Sequence, residues 1–174
     1  MKRAAGVLAM AGCLGLVVSC GGQGGGNPGV EGVPFTDVMC PKISTAAPGE
    51  EAGNWVIENQ AELEAVWTEL GLQASVELPS VDFSQGALVM VYGGQRSTGN
   101  EWVLINSIEK VTNGELLVKY DNFTANHPGC GGDTVITFPF CIVQADIEAE
   151  KLSFQSRELN ACEHRESRPN LNGQ

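Results

Sequence analysis

The side chains that could do chemistry are six cysteines, two histidines, 21 acidic residues and scattered serines, and their spacing decides what chemistry is open to them. An activated serine needs a base beside it on an exposed turn. No G-x-S-x-G occurs, and Gly94-Gln95-Arg96-Ser97-Thr98-Gly99 has the wrong spacing. Ser107-Ile108-Glu109-Lys110 has the S-x-x-K form, which works on a helix, where residues three apart share a face. Here it falls in a run that reads as a strand, where Ser107 and Lys110 point to opposite faces, so the match reads as chance. His127 sits in a Pro/Gly loop and His164 in a polar tail, neither beside a nucleophile and a carboxylate. A carboxylate pair for acid–base work stays open among 21 acids, with no motif to place it. Asn122-Phe123-Thr124 has the form of a glycosylation sequon and reads as chance. No pattern calls for a cofactor.

The cysteines divide by position. Met1-Lys2-Arg3 is followed by an uncharged, mostly apolar run from Ala4 to Val18, the order of a secretory signal. The run is short and glycine-interrupted for a membrane span, which needs about 20 apolar residues. It ends Leu16-Val17-Val18-Ser19-Cys20, which resembles the bacterial lipobox. The resemblance implies cleavage before Cys20 and lipid on that cysteine; the other reading is an ordinary signal peptide with a spare thiol. Gly21 to Gly29 is nearly all Gly, Gln, Asn and Pro, a flexible tether by composition. Gly rather than Asp at position 21 favours the outer membrane, by resemblance to the enterobacterial sorting pattern. The expected organisation is a leader over 1–19, a tether over 20–35, one domain over 36–165 and a polar tail over 166–174.

Cys13 leaves with the leader, and Cys40, Cys130, Cys141 and Cys162 remain. Four cysteines in an exported domain predict two disulfides. Of three pairings, Cys40–Cys162 would tie the domain's ends and Cys130–Cys141 would close a short loop; this is the expected set. A zinc site from these cysteines with His127 or His164 is the alternative, but no C-x-x-C spacing is present. Lys2 and Arg3 leave with the leader too, so eight cations face 21 acids, a net charge of -13. That balance argues against nucleic acid or anionic lipid as partner. It serves solubility, or offers an acidic face to a basic protein or a divalent cation.

These residues need a scaffold. Asn54 to Glu58 reads as a strand. Asn59 and Glu62 stand in a capping-box arrangement, and Leu63, Val66, Trp67 and Leu70 form one apolar helical face. Gly71 can end that helix in the left-handed conformation, which predicts a helix over 59–70. Ala87 to Tyr92 and Trp102 to Ile108 read as strands. Asn113-Gly114 signals a hairpin into Leu116 to Tyr120, with Leu116, Val118 and Tyr120 on one face. Val135 to Val143 is a strand broken by Pro139, hence an edge or a bulge, and Lys151 to Gln155 closes the set. The expected fold is α+β: a mainly antiparallel sheet curled into a sandwich or partial barrel, with one packed helix.

Between two apolar strands lies Gly93-Gly94-Gln95-Arg96-Ser97-Thr98-Gly99-Asn100. One reading is a hairpin whose Arg96 pairs with a surface carboxylate. The other is a recognition loop, with Gly94, Arg96, Thr98 and Gly99 meeting a partner's polar groups. The order of Trp67 to Leu70, Val81-Asp82-Phe83, Ala87 to Val91, Gly94 to Gly99, a hairpin, then Thr137-Phe138-Pro139-Phe140 with Ile142-Val143 resembles the C-terminal domain of the PrcB family over roughly residues 55–155. Those lipoproteins are named for an accessory subunit that stabilises a secreted subtilisin-like protease. The family loop runs G-x-R-x-T-G-G-Y; here Asn100 replaces the second glycine and Glu101 precedes Trp102. The resemblance implies a non-catalytic, lipid-anchored module binding an exported protein, with an exported protease as one such partner. An envelope enzyme with a carboxylate site, or a cation or small-ligand binder on the acidic face, stands beside it.

Overall fold

A computed structural model describes residues 31–43, 49, 51–111, 114–125, 130, 134–148 and 151–164. Cys20, most of the tether, His127 and the 166–174 tail lie outside the described residues.

The helix α1 forms over Gln60–Glu69 for the reasons visible in its ends. The Asn59 side chain accepts from the Glu62 amide at 3.0 Å, and the Glu62 carboxylate accepts from the Glu58 amide at 2.8 Å. The first satisfies a donor that an open first turn leaves bare, and the second ties the residue before the cap to the helix. Gly71 follows the helix at φ 62°, a conformation that costs glycine little. Leu63, Val66, Trp67 and Leu70 are buried, with the Trp67 ring edge-on to Phe140 at 5.8 Å.

The strands form two sheets. β1 (Gly32–Val33), β6 (Trp102–Lys110), β7 (Leu116–Thr124) and β9 (Leu152–Asn160) make one, in the order β1-β6-β7-β9. β2 (Phe35–Met39), β8 (Phe138–Ala145), β5 (Ala87–Tyr92) and β4 (Gly53–Ile57) make the other, in the order β2-β8-β5-β4, with β3 (Lys42–Ile43) also pairing β8. The central strands of the second sheet, β5 and β8, are covered on both sides, which is why β5 is apolar at every position. Leu88, Met90 and Tyr92 face α1, while Val89 and Val91 face Val103, Ile105, Ile108 and Val118 of the first sheet. A bulge between Ile105 and Ser107 changes which residues of β6 point inward. This is an α+β sandwich of two sheets, with one α-helix among the described residues, as the residue pattern predicts.

Three expectations change. Gly32, Val33 and Phe35, assigned to the tether, are strand residues. The strand around Pro139 is not an edge: β8 lies between β2 and β5, and begins at Phe138 rather than Val135. Pro139 is tolerated because β5 ends opposite Phe140, one residue short of it, and the Pro139 carbonyl still accepts from the Gly93 amide at 2.8 Å. The disulfides are Cys40–Cys141 and Cys130–Cys162, not Cys40–Cys162 and Cys130–Cys141. Antiparallel β2 and β8 pair Met39 with Ile142, which sets Cys40 beside Cys141. β7 and β9 run parallel and finish together at Thr124 and Asn160, so the cysteines that follow them meet. All four are spent in bridges, which leaves no thiolate from them for zinc.

Candidate functional site

The loop singled out by composition closes one end of the sandwich. It leaves β5 through Gly93 and Gly94, both buried, with Gly94 at φ 72°. A side chain at Gly94 would strain that turn. Arg96 then forms an antiparallel bridge with Thr137, its amide donating to the Thr137 carbonyl at 2.8 Å and its carbonyl accepting from the Thr137 amide at 3.0 Å. The Thr137 hydroxyl donates to the Thr98 carbonyl at 2.9 Å, and the Thr98 hydroxyl accepts from the Asn100 amide at 3.1 Å. The loop is therefore pinned along its length to the segment entering β8.

The Arg96 guanidinium reaches in the other direction. Its Nη2 donates to Asn122 Oδ1 on β7 at 2.7 Å. Arg96 thus links the β8 side of the sandwich to the opposite sheet, and its partner is an amide rather than the surface carboxylate expected of a hairpin arginine. Its Nε is buried with no hydrogen-bond partner among the described residues. Glu101, the residue that interrupts the family-like pattern, has a definite place too. It is 3 % exposed, and its Oε1 accepts from the Ala125 amide at 2.8 Å, tying the start of β6 to the end of β7. A buried carboxylate is costly unless a donor meets it, and this amide does.

Of the residues expected to meet a partner, Gly94, Arg96 and Thr98 are turned to holding the loop. Gly99 has open space where a side chain would go and no steric need to be glycine. The exposed positions are Gln95 and Ser97 on the loop and, across the Arg96–Thr137 bridge, Val135 and Ile136. Val135 is 42 % and Ile136 52 % exposed, the large apolar side chains that stand open among the described residues. The residue pattern hides them, because two β-branched residues ahead of Phe138 look like the start of a strand. Pro139 was the available signal: the chain must leave the regular ladder near it, so residues just before it need not follow strand burial.

Ser107 and Lys110 go separate ways, as expected of a strand. The Ser107 hydroxyl donates to Glu109 at 2.8 Å, and Lys110 pairs with Glu31 at 2.7 Å. Glu109 also meets Lys119 at 2.6 Å, and that pairing, with the Ser107 bond, holds its carboxyl below the usual range. At the opposite end of the sandwich a cavity of about 440 Å³ lies among Val33, Leu116, Ile147, Lys110 and Lys151. No group of three or more His, Cys, Asp or Glu able to hold a metal ion occurs among the described residues.

No protein-family model, curated protein or solved structure matches the chain.

Proposed function

We propose that this chain is a lipid-anchored, non-catalytic envelope module that binds and stabilises another exported protein through the loop end of its sandwich. The observation that carries the reading is the exposure of Val135 and Ile136 beside a loop held inward through Arg96 and Thr98. Apolar side chains framed by polar Gln95 and Ser97 suit a small contact with an apolar centre and a polar rim. The loop is already ordered by Arg96 and Thr137, so docking onto it would cost little further ordering. The PrcB-like order of segments makes an exported protease the first partner to try, and the lipobox-like end at Cys20 supplies the anchor.

A pull-down from membrane extract tests this with two baits, wild type and Ile136→Asp. The substitution lies at the surface and should leave the melting temperature unchanged. The expected result is a stoichiometric exported protein on the wild-type bait and its loss from the variant. Equal recovery on both baits contradicts a role for the loop end, and recovery on neither contradicts the binding function.

A further inference from the structure

The two disulfides sit in unlike surroundings. Cys141 is fully buried, and Cys40, itself half-buried, packs against the core between the sheets. Cys130 and Cys162 are both half-buried and lie beyond the ends of β7 and β9, outside the apolar clusters. Thiol–disulfide exchange requires a thiolate to reach a sulfur, so the second bridge, with both cysteines half-buried and neither packed on the core, is the more open to attack.

That bridge also holds a cover in place. The turn over residues 161–164 follows β9 and lies on the outer face of the first sheet. There Trp102 and Phe123 stack with ring centroids 4.4 Å apart and an interplanar angle of 14°. Both are almost fully buried, at 3 % and 1 % exposed. Ala161, itself 1 % exposed, packs on them, and its amide donates to the Thr124 carbonyl at 2.9 Å. The His164 ring stands edge-on to Phe123 at 5.8 Å. Asn160 accepts from the Cys162 amide at 3.0 Å and donates to Glu163 at 3.0 Å. These bonds shape the turn, and the disulfide joins it to Cys130.

We propose that Cys130–Cys162 is a redox-sensitive clasp, opened by a dithiol reductant while Cys40–Cys141 stays closed, and that opening uncovers the Trp102–Phe123 stack. A thiolate of the reductant attacks one sulfur of the bridge, and the other cysteine leaves as thiolate. The reductant's second thiol then displaces the first cysteine. Two electrons and two protons pass to Cys130 and Cys162, and the reductant ends as a disulfide. The uncovered face adjoins the loop end, since only Glu101 separates Trp102 from it and Phe123 follows Asn122, the partner of Arg96.

The test uses the protein purified from the envelope in detergent and treated with rising dithiothreitol. Freed thiols are alkylated and assigned by peptide mass, and amide exchange is followed over residues 159–164. Cys130 and Cys162 should label at least about tenfold faster than Cys40 and Cys141, as access dictates. The Ala161 amide should lose protection in step and regain it on reoxidation. Simultaneous opening of both bridges, or prior opening of Cys40–Cys141, overturns the proposal. So does an Ala161 amide that stays protected once Cys130 and Cys162 are free. A Cys130→Ser, Cys162→Ser variant should show the same fast exchange without reductant; protection retained there overturns it as well.

Discussion

Arg96 is the residue on which the loop end depends. It joins two sheets that share no ladder, through one backbone bridge and one charged hydrogen bond. Arg96→Ala should lower unfolding stability by about 1–3 kcal/mol, because Asn122 Oδ1 loses a charged donor where water is partly excluded; urea denaturation measures it. Tyr92 makes a second prediction. Its hydroxyl donates to the Gly49 carbonyl at 2.7 Å, and burial pushes its pKa from 10.0 up to about 12. Below pH 10 the hydroxyl is neutral in folded and unfolded chains alike, so its contribution is fully present. Between pH 10 and 12 the unfolded chain ionises first, and stability falls as pH rises. Melting temperature should therefore decline over that range in wild type and less steeply in Tyr92→Phe. The importance of Arg96 was legible from its place between glycines. Its direction was not, because Asn122 lies 26 positions away and meets it only once β7 is in place.

At the scale of elements, α1 and β5 were written in local pattern. The capping pair Asn59 and Glu62, the stop at Gly71 and the unbroken apolar run of β5 are properties of neighbouring residues, so they could be read without a fold. The start of β8 could not, because Pro139 is acceptable only where β5 happens to end. The helix also carries an imbalance. From residue 43 to residue 95 there is no lysine or arginine, and α1 has no basic residue in its last turn, where Glu69 faces the negative end of the helix dipole. Glu69→Lys should stabilise the protein by about 0.3–1 kcal/mol at low ionic strength. Asn59→Ala should cost about 1 kcal/mol through the lost cap. Denaturant midpoints at low and high salt check both, and the gain at position 69 should shrink with salt.

For the whole molecule, the decisive feature is the parallel pairing of β7 and β9. It sets the disulfide connectivity, brings the ends of those strands beside the loop end, and was invisible to local pattern because β8, between them in sequence, belongs to the other sheet. An anchor at Cys20 would leave residues 21–30 before Glu31, the first bonded residue among those described, a reach of at most about 35 Å from the membrane. In the proposed function the acidic domain is kept off an anionic surface by its charge and presents the loop end to a partner within that reach. The most direct test places a photo-crosslinking residue at Ile136 in living cells, with Glu64 on the exposed face of α1 as the comparison. A partner at the loop end predicts one discrete adduct with an exported protein from position 136 and none from position 64. Adducts of equal yield from both positions, or none from position 136, would contradict it.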